Sequence, residues 1–502
     1  MKIHDIVFIR IPAKTRILTT ALGALREYAA DMGFDEPDIS WLSLALEEAF
    51  CHAISLGYGG EEDALRVVLG KTTLGLQITL TSKGVPLDDE ALPQFDQQRL
   101  NAEGDMTGMS AFLMRNSVDK ATFTILKNNR RKITLFKRLP LTSPASDAEA
   151  YPKAPLSGSE TPKPSATIRR ADHRDAQSIS RLALRAHGSL LFNTDIYYPN
   201  RISEMLAQGE MHSVVLETAQ GEILGHGALV ADAPGGLLEE MTYGIVDKRL
   251  RGKNYSKELV DALLADAQQR GLHGVYALAV CNHVLSQRSV LSAGFRESAL
   301  LLAASPPSRS WARPDKAVRA EVEPERIANL LLSRYLKTLP ETVLFPPKRH
   351  EAMIRRIHEH VGCVERIQRI SGQEKMQCRD AELHTKTMRI DVETDVREGW
   401  AWIVVLEYGR QTVARITGHL RQLSDQGICA VYLMLPLDVP ATATMTEDFE
   451  EAGFFFSGIT FSPEGREHLA LQYINGKPGL NAVEVYSPFA RELLDYLHIV
   501  SK

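Results

Sequence analysis

Short runs in which apolar and polar positions alternate, broken by longer stretches with a helical apolar stripe, organise this chain. Ile6-Val-Phe-Ile9 predicts a strand, and apolar residues at helical spacing predict helices over Thr15–Met32 and Asp38–Leu56. Leu65–Leu69 and Leu74–Leu80 predict strands, Gly108–Asn116 a helix, and Ala121–Leu126 with Lys132–Lys137 a closing hairpin. Helices followed by antiparallel strands predict an α/β sandwich with its helices on one sheet face. From about Pro140 to Ala166 the pattern stops in a Pro-, Ser- and Ala-rich run that cannot bury enough apolar surface to offset its ordering entropy, so a partly extended linker is expected.

The pattern resumes with a strand at Thr167–Arg170, a helix at Asp175–His187, a hairpin of Ser213–Glu217 with Ile223–Val230, and a strand at Leu237–Val246. A helix from Lys257, a strand at Val275–Val280 and a helix ending in Ala293-Gly294-Phe295 follow. Trp400–Glu407, Thr412–Gln426, Cys429–Leu435 and the run into Gly453-Phe454 repeat the order strand, helix, strand, helix, Gly-Phe. This order reads as an internal duplication of fold, with a shared generic pattern as the alternative. The expected division is 1–139, a linker at 140–166, 167–310 and 311–502, in an α/β (α+β) class.

At 502 residues the chain is too long for one core. A hydrophobic fraction of 44% with 24% charged residues predicts a soluble, globular protein. The formal net charge of -5 gives no electrostatic argument for nucleic acid or an anionic membrane, and neither partner is expected. Lys127–Lys132 is a local basic cluster, read as a solvated turn. The first residues carry no signal-peptide pattern, and no apolar stretch approaches the roughly 18 residues needed to span a bilayer. Five scattered cysteines without metal-ligand spacing suit a reducing cytoplasm. His358 and His360 with Cys363 invite a metal reading, but on a helix the two imidazoles point about 200° apart, and no metal is expected.

The stretch Ile245-Val-Asp-Lys-Arg-Leu-Arg251-Gly252-Lys253-Asn254-Tyr255-Ser256, an apolar strand entering a basic turn and then a helix, aims backbone N–H groups and a helix dipole at one point, as a pyrophosphate requires. It resembles motif A of the GCN5-related N-acetyltransferase (GNAT) superfamily, and Gly294-Phe295 resembles the end of motif B. The resemblance covers about Thr167 to Ala304. It implies an acetyl-CoA or other acyl-CoA cofactor held by Ile245, Val246 and Arg251 to Ser256, and a primary amine acceptor on a small molecule or protein. Asn254 stands where the family has a middle glycine, and Asn tolerates left-handed backbone angles. The family holds its thioester beside a bulge in the strand before the loop. Glu239 and Glu240 on that strand are candidate bases, one facing the cleft and one away. The family's acid, a tyrosine on the motif B helix, falls at Val290, so His283, with Cys281 and Asn282 beside it, becomes the substitute candidate.

Leu44-Ala-Leu-Glu47-Glu48-Ala-Phe-Cys-His52-Ala, Ser82-Lys-Gly84-Val-Pro86 and Gly108-Met-Ser110-Ala resemble, in order and spacing, the three nucleotide motifs of the anti-sigma-factor serine-kinase branch of the GHKL ATPases. The resemblance covers almost all of residues 1–139. It implies ATP and Mg²⁺ near Glu48, His52, Gly84 and Gly108, with a protein partner as the other use of such a domain. Two departures count against the nucleotide: His52 replaces the Asn that helps hold Mg²⁺, and Ser82 replaces the Asp that reads adenine. The sequence therefore predicts a cytoplasmic acyl-CoA-dependent N-acyltransferase, regulated or targeted by its amino-terminal domain. The alternative is a non-catalytic signalling protein using both folds as binding modules.

Overall fold

A computed structural model of the chain describes residues 4–57, 64–72, 74–84, 108–126, 130–139, 166–187, 194–231, 236–250, 254–306, 326–337, 342–363, 365–370, 388–395, 398–462, 464–476 and 479–501. The chain forms two compact units, 1–161 and 162–502. The expected linker lies almost wholly outside the described residues.

In the first unit β1 (His4–Pro12), α1 (Leu18–Asp31), α2 (Glu36–Ser55), β2 (Ala64–Lys71), β3 (Gly75–Lys83), α3 (Met109–Ser117), β4 (Lys120–Leu126) and β5 (Arg130–Arg138) follow one another. The strands make one antiparallel sheet in the order β1-β2-β3-β5-β4. Every second residue, Leu65, Val67 and Leu69 on β2 and Leu76, Ile78 and Leu80 on β3, turns inward against Leu25, Leu42, Leu46 and Phe50 of the helices. Helix α2 starts two residues before the expected Asp38, because Asp35 accepts from the Asp38 N–H at 2.8 Å and Pro37 fits the first turn.

The second unit contains β6 (Ala166–Arg170), α4 (Ala176–His187), α5 (Pro199–Gln208), β7 (Met211–Thr218), β8 (Ile223–Val230), β9 (Leu238–Val246), α6 (Tyr255–Arg270), β10 (Gly274–Val280), α7 (Leu285–Ser292), β11 (Arg296–Ser305) and β12 (Ile327–Tyr335). Then come β13 (Thr342–Leu344), α8 (Glu351–Val361), β14 (Glu365–Ile367), β15 (Arg389–Asp395), β16 (Trp400–Glu407), α9 (Thr412–Asp425), β17 (Ala430–Pro436), α10 (Pro440–Glu451), β18 (Phe455–Phe461), β19 (Glu467–Ile474) and α11 (Pro488–Val500).

Twelve strands form one sheet, β15-β16-β17-β19-β18-β11-β12-β10-β9-β8-β7-β6. The order β9-β10-β12-β11 recurs as β16-β17-β19-β18, and in each set the first pair is parallel and the last-made strand inserts between its two predecessors. The repetition of topology is therefore physical: two lobes join through antiparallel β11 and β18, with Ala299 opposite Gly458. A division at 310 would separate β11 from β12, which pair along most of their length.

At the seam a Cβ on Gly458 would lie 2.3 Å from the Ser298 carbonyl oxygen, so only glycine lets the lobes approach this closely. Gln472, fully buried, donates to the carbonyls of Leu300 and Phe456 and accepts from the Leu302 N–H, tying both lobes together. His358 and His360 diverge along α8, the first to Glu467 at 2.6 Å and the second to Glu297 at 2.7 Å. Among the described residues no cluster of metal-ligating groups occurs, and no helix is long and apolar enough to cross a membrane.

Candidate functional site

Strands β9 and β10 pair in parallel over only three positions, Leu238–Glu240 with Gly274–Tyr276, and then part. On its other edge β9 breaks register with β8: Thr242 faces Ala228 and Ile245 faces His226, leaving Tyr243 and Gly244 together opposite Gly227. This is a bulge, and Tyr243 takes a φ of 53°, which a non-glycine residue adopts only when its surroundings hold it there. The Tyr243 ring is buried against α4 and α5, and the Tyr243 carbonyl oxygen is 3.1 Å from His226 Nδ1.

Past the bulge the chain enters α6, capped by Asn254 at φ 66° and ψ 8°. That is the left-handed conformation expected of a glycine there. Arg251, Gly252 and Lys253 lie outside the described residues. Helix α6 runs unusually close to β8, because a Cβ on Gly225 or Gly227 would come within 3.1 Å of Leu259 or 3.0 Å of Leu263 respectively. Tyr255 anchors the first turn in the core, so the helix N-terminus is fixed at the open end of the β9–β10 cleft.

The sequence-predicted acid–base candidates separate. Glu239 is buried, and both carboxylate oxygens receive Arg270, at 2.6 and 2.5 Å, while Arg270 also reaches Asp266 at 2.7 Å. This network ties the end of α6 to β9 and takes Glu239 out of the cleft. Glu240 lies on the other sheet face, half-exposed, in register with Tyr276 at the last paired position before the strands part. His283 accepts from the Leu285 N–H through Nδ1 at 3.3 Å, at the start of α7. Burial pushes the Cys281 thiol up to about 12, which leaves it protonated and unreactive as a thiolate. Val290 packs partly buried against the core and supplies no proton.

Sequence reasoning missed three residues of this site. Gln287, fully buried, donates to the carbonyls of Val280, His283 and Glu484 and accepts from the Tyr486 N–H, so the second lobe holds the start of α7. His226 and Ser213 form a buried pair at 2.6 Å behind the bulge, and burial lowers the His226 pKa to about 4. A histidine between two glycines in a strand otherwise apolar was the available signal.

In the first unit Glu48 and His52 lie on the second half of α2, Gly84 approaches its end at Leu56, and Gly108 caps α3, but the partners of these residues are other groups of the same unit. Glu48 accepts from the Ser110 hydroxyl. Arg131, expected in a solvated turn, is only 6% exposed and donates to Ser82 Oγ and the Ala53 carbonyl, both at 3.1 Å. His52 packs edge-on to Phe123, and burial, with the Arg131 charge, lowers its pKa to about 4. A Cβ on Gly84 would meet the Leu56 carbonyl at 2.1 Å and Arg131 at 2.7 Å.

ATP·Mg²⁺ does not fit these residues. Mg²⁺ takes oxygen ligands, and His52 offers an imidazole. The adenine amino group needs an acceptor where Ser82 now receives a guanidinium. The chemistry of the α6 entrance suits an acyl-CoA: Asn254 to Ser256 would stand towards its phosphates, and the bulge towards its thioester.

A family model described as a histidine kinase-like ATPase domain matches residues 11–137, and one described as the acetyltransferase (GNAT) family matches residues 179–295. No curated protein matches the chain significantly. Among solved structures, an N-acetyltransferase from Staphylococcus aureus Mu50 is 17% identical, covering 34% of this chain and 99% of its own, at a TM-score of 0.28. A ribosomal-protein-alanine N-acetyltransferase from Brucella melitensis gives the same four values. A GNAT superfamily phosphinothricin acetyltransferase from Sinorhizobium meliloti, solved in complex with AcCoA, is 20% identical over 34% of this chain and 89% of its own, at 0.27.

Proposed function

We propose that this chain, a histidine kinase-like ATPase domain joined to an acetyltransferase (GNAT) domain, is an acyl-CoA-dependent N-acyltransferase whose cleft between β9 and β10 holds the coenzyme. One observation carries the reading: two parallel strands part beside a strained bulge, and the helix that follows starts at the mouth of the opening. When bound, the coenzyme supplies an activated thioester carbonyl. The α6 N-terminus binds and orients its phosphates. The bulge presents backbone N–H groups to the carbonyl oxygen, where charge grows as an amine attacks. Glu240, at the point of divergence, is the base we assign to the acceptor amine, in place of Glu239.

The second lobe closes the edge of β11 and holds α7 through Gln287. The first unit keeps the ATPase fold without its chemistry and docks a protein partner. A non-catalytic reading of the whole chain is favoured by one observation, the apolar Val290 at the place of the family's acid.

Calorimetric titration with acetyl-CoA, and separately with ATP·Mg²⁺, tests the reading. Acetyl-CoA should bind with a stoichiometry of one per chain and ATP should give no heat. Absence of acetyl-CoA binding overturns the proposal, and binding without turnover over a panel of amines favours the second reading.

A further inference from the structure

His226 stands on β8 opposite the interruption in β9, in register with Ile245. Both ring nitrogens are engaged, Nδ1 with the Tyr243 carbonyl at 3.1 Å and Nε2 with Ser213 Oγ at 2.6 Å. A carbonyl only accepts, so Nδ1 carries the hydrogen, and Nε2 of the neutral ring accepts from the Ser213 hydroxyl. Complete enclosure disfavours the charged ring, with a pKa lowered to about 4, so this tautomer persists at neutral pH.

The ring holds the carbonyl of the first bulge residue. Tyr243 sits at a φ of 53°, and its carbonyl oxygen lies 3.1 Å from His226 Nδ1. In a trans peptide the C=O and the following N–H point in opposite directions. A carbonyl held at His226 therefore sends the Gly244 N–H away from β8, to the side on which β10 has parted from β9. A Cβ on Gly244 would meet nothing within 4 Å, which leaves room for a ligand atom.

We propose that His226, braced by Ser213, is a positioning residue that aims the Gly244 N–H at the carbonyl oxygen of a bound acyl thioester, and so makes the site prefer acylated to free coenzyme. The proposal rests on the acyl-CoA reading above. It separates two contacts: the α6 N-terminus serves the coenzyme's phosphates, and the bulge serves the acyl group alone.

The test compares the dissociation constants of coenzyme A and acetyl-CoA in the full chain and in His226→Leu, His226→Asn and Ser213→Ala, with hydrogen exchange of residues 241–246 followed in the absence of ligand. In His226→Leu, acetyl-CoA binding should weaken about tenfold while coenzyme A stays within about twofold, and exchange at the bulge should accelerate. His226→Asn, whose amide can donate to the same carbonyl, should recover most of the preference. Ser213→Ala should fall between.

Equal weakening of both ligands would mean a general structural role and overturns the proposal, as does an unchanged ratio with unchanged exchange. If the unaltered chain binds neither ligand, the function reading itself fails and the thioester role with it. That outcome is read from the unaltered protein, and failure of His226 alone from the variants.

Discussion

The two lobes share a strand order and differ in how far their parallel strands pair. In the first, β9 and β10 pair over three residues and part beside a bulge; in the second, β16 and β17 pair over five, and Tyr408, directly after β16, is buried and reaches Thr442 beyond the end of β17. The Tyr408 hydroxyl donates to Thr442 Oγ1 at 2.7 Å, because Thr442 already gives its own proton to the Pro436 carbonyl at 2.6 Å. The turn before α9 is closed as well. Gly409 N–H donates to Thr412 Oγ1, and a Cβ on Gly409 would strike Met388 N at 2.6 Å. The same strand order thus accommodates two entrances to the following helix, one begun by a left-handed Asn254 after strands that part early, the other closed by its own Thr412 and Tyr408.

The sharpest way to break this comparison is to replace Arg251-Gly252 by Glu-Pro. Acetyl-CoA affinity should drop at least about 100-fold, near 3 kcal/mol, with an unchanged circular dichroism spectrum, and no residual binding should appear from the second lobe. Binding that survives in titration would move the coenzyme elsewhere. Gly458→Val acts on the junction and should destabilise the second unit by about 3 kcal/mol in urea, since its β-carbon collides with backbone across the seam. Glu239→Gln should lower stability by about 2 kcal/mol, since Arg270 keeps Asp266 but loses its buried bidentate partner, and leave kcat unaltered. A lost kcat at full stability would return Glu239 to catalysis.

Each lobe also holds a buried neutral histidine, His226 and His468, and the first unit adds His52; burial lowers all three to about 4 from 6.5. Between those values the unfolded chain binds protons that the folded chain refuses, so stability should fall as pH drops from 6.5 to 4, by roughly 1–3 kcal/mol per group, and level off below. Urea midpoints against pH, flattened for one group in His226→Asn, check this. The smallest effect should be Tyr408→Phe, about 1 kcal/mol in thermal unfolding with coenzyme stoichiometry unchanged.

Much of this architecture was legible beforehand because its signals are local. Alternation in β2, β3 and β5 and the helical stripes of α1 and α2 carry their own periodicity, and the Gly-Phe steps at 294–295 and 453–454 mark the repeat. Asn254 could be matched to a left-handed position from its side chain alone. The site was less legible. Glu239 and Glu240 are equivalent in sequence, and only Arg270, 31 residues on, separates their roles. Arg131 looks like part of a basic turn until its strand register with Ser82 turns it inward. Gln287 gains its purpose from residues almost 200 positions away.

What the sequence by itself determined is the set of elements, their order and the two families of fold, since hydrophobic period, capping residues and turn glycines act within a few residues of themselves. The tertiary structure alone decided which of two like carboxylates is spent on an ion pair, how early each pair of parallel strands parts, and that Arg131 turns inward to Ser82 and Ala53. Those outcomes depend on which polar groups meet after the strands pair. A buried donor or acceptor must take whatever partner the packing brings to it.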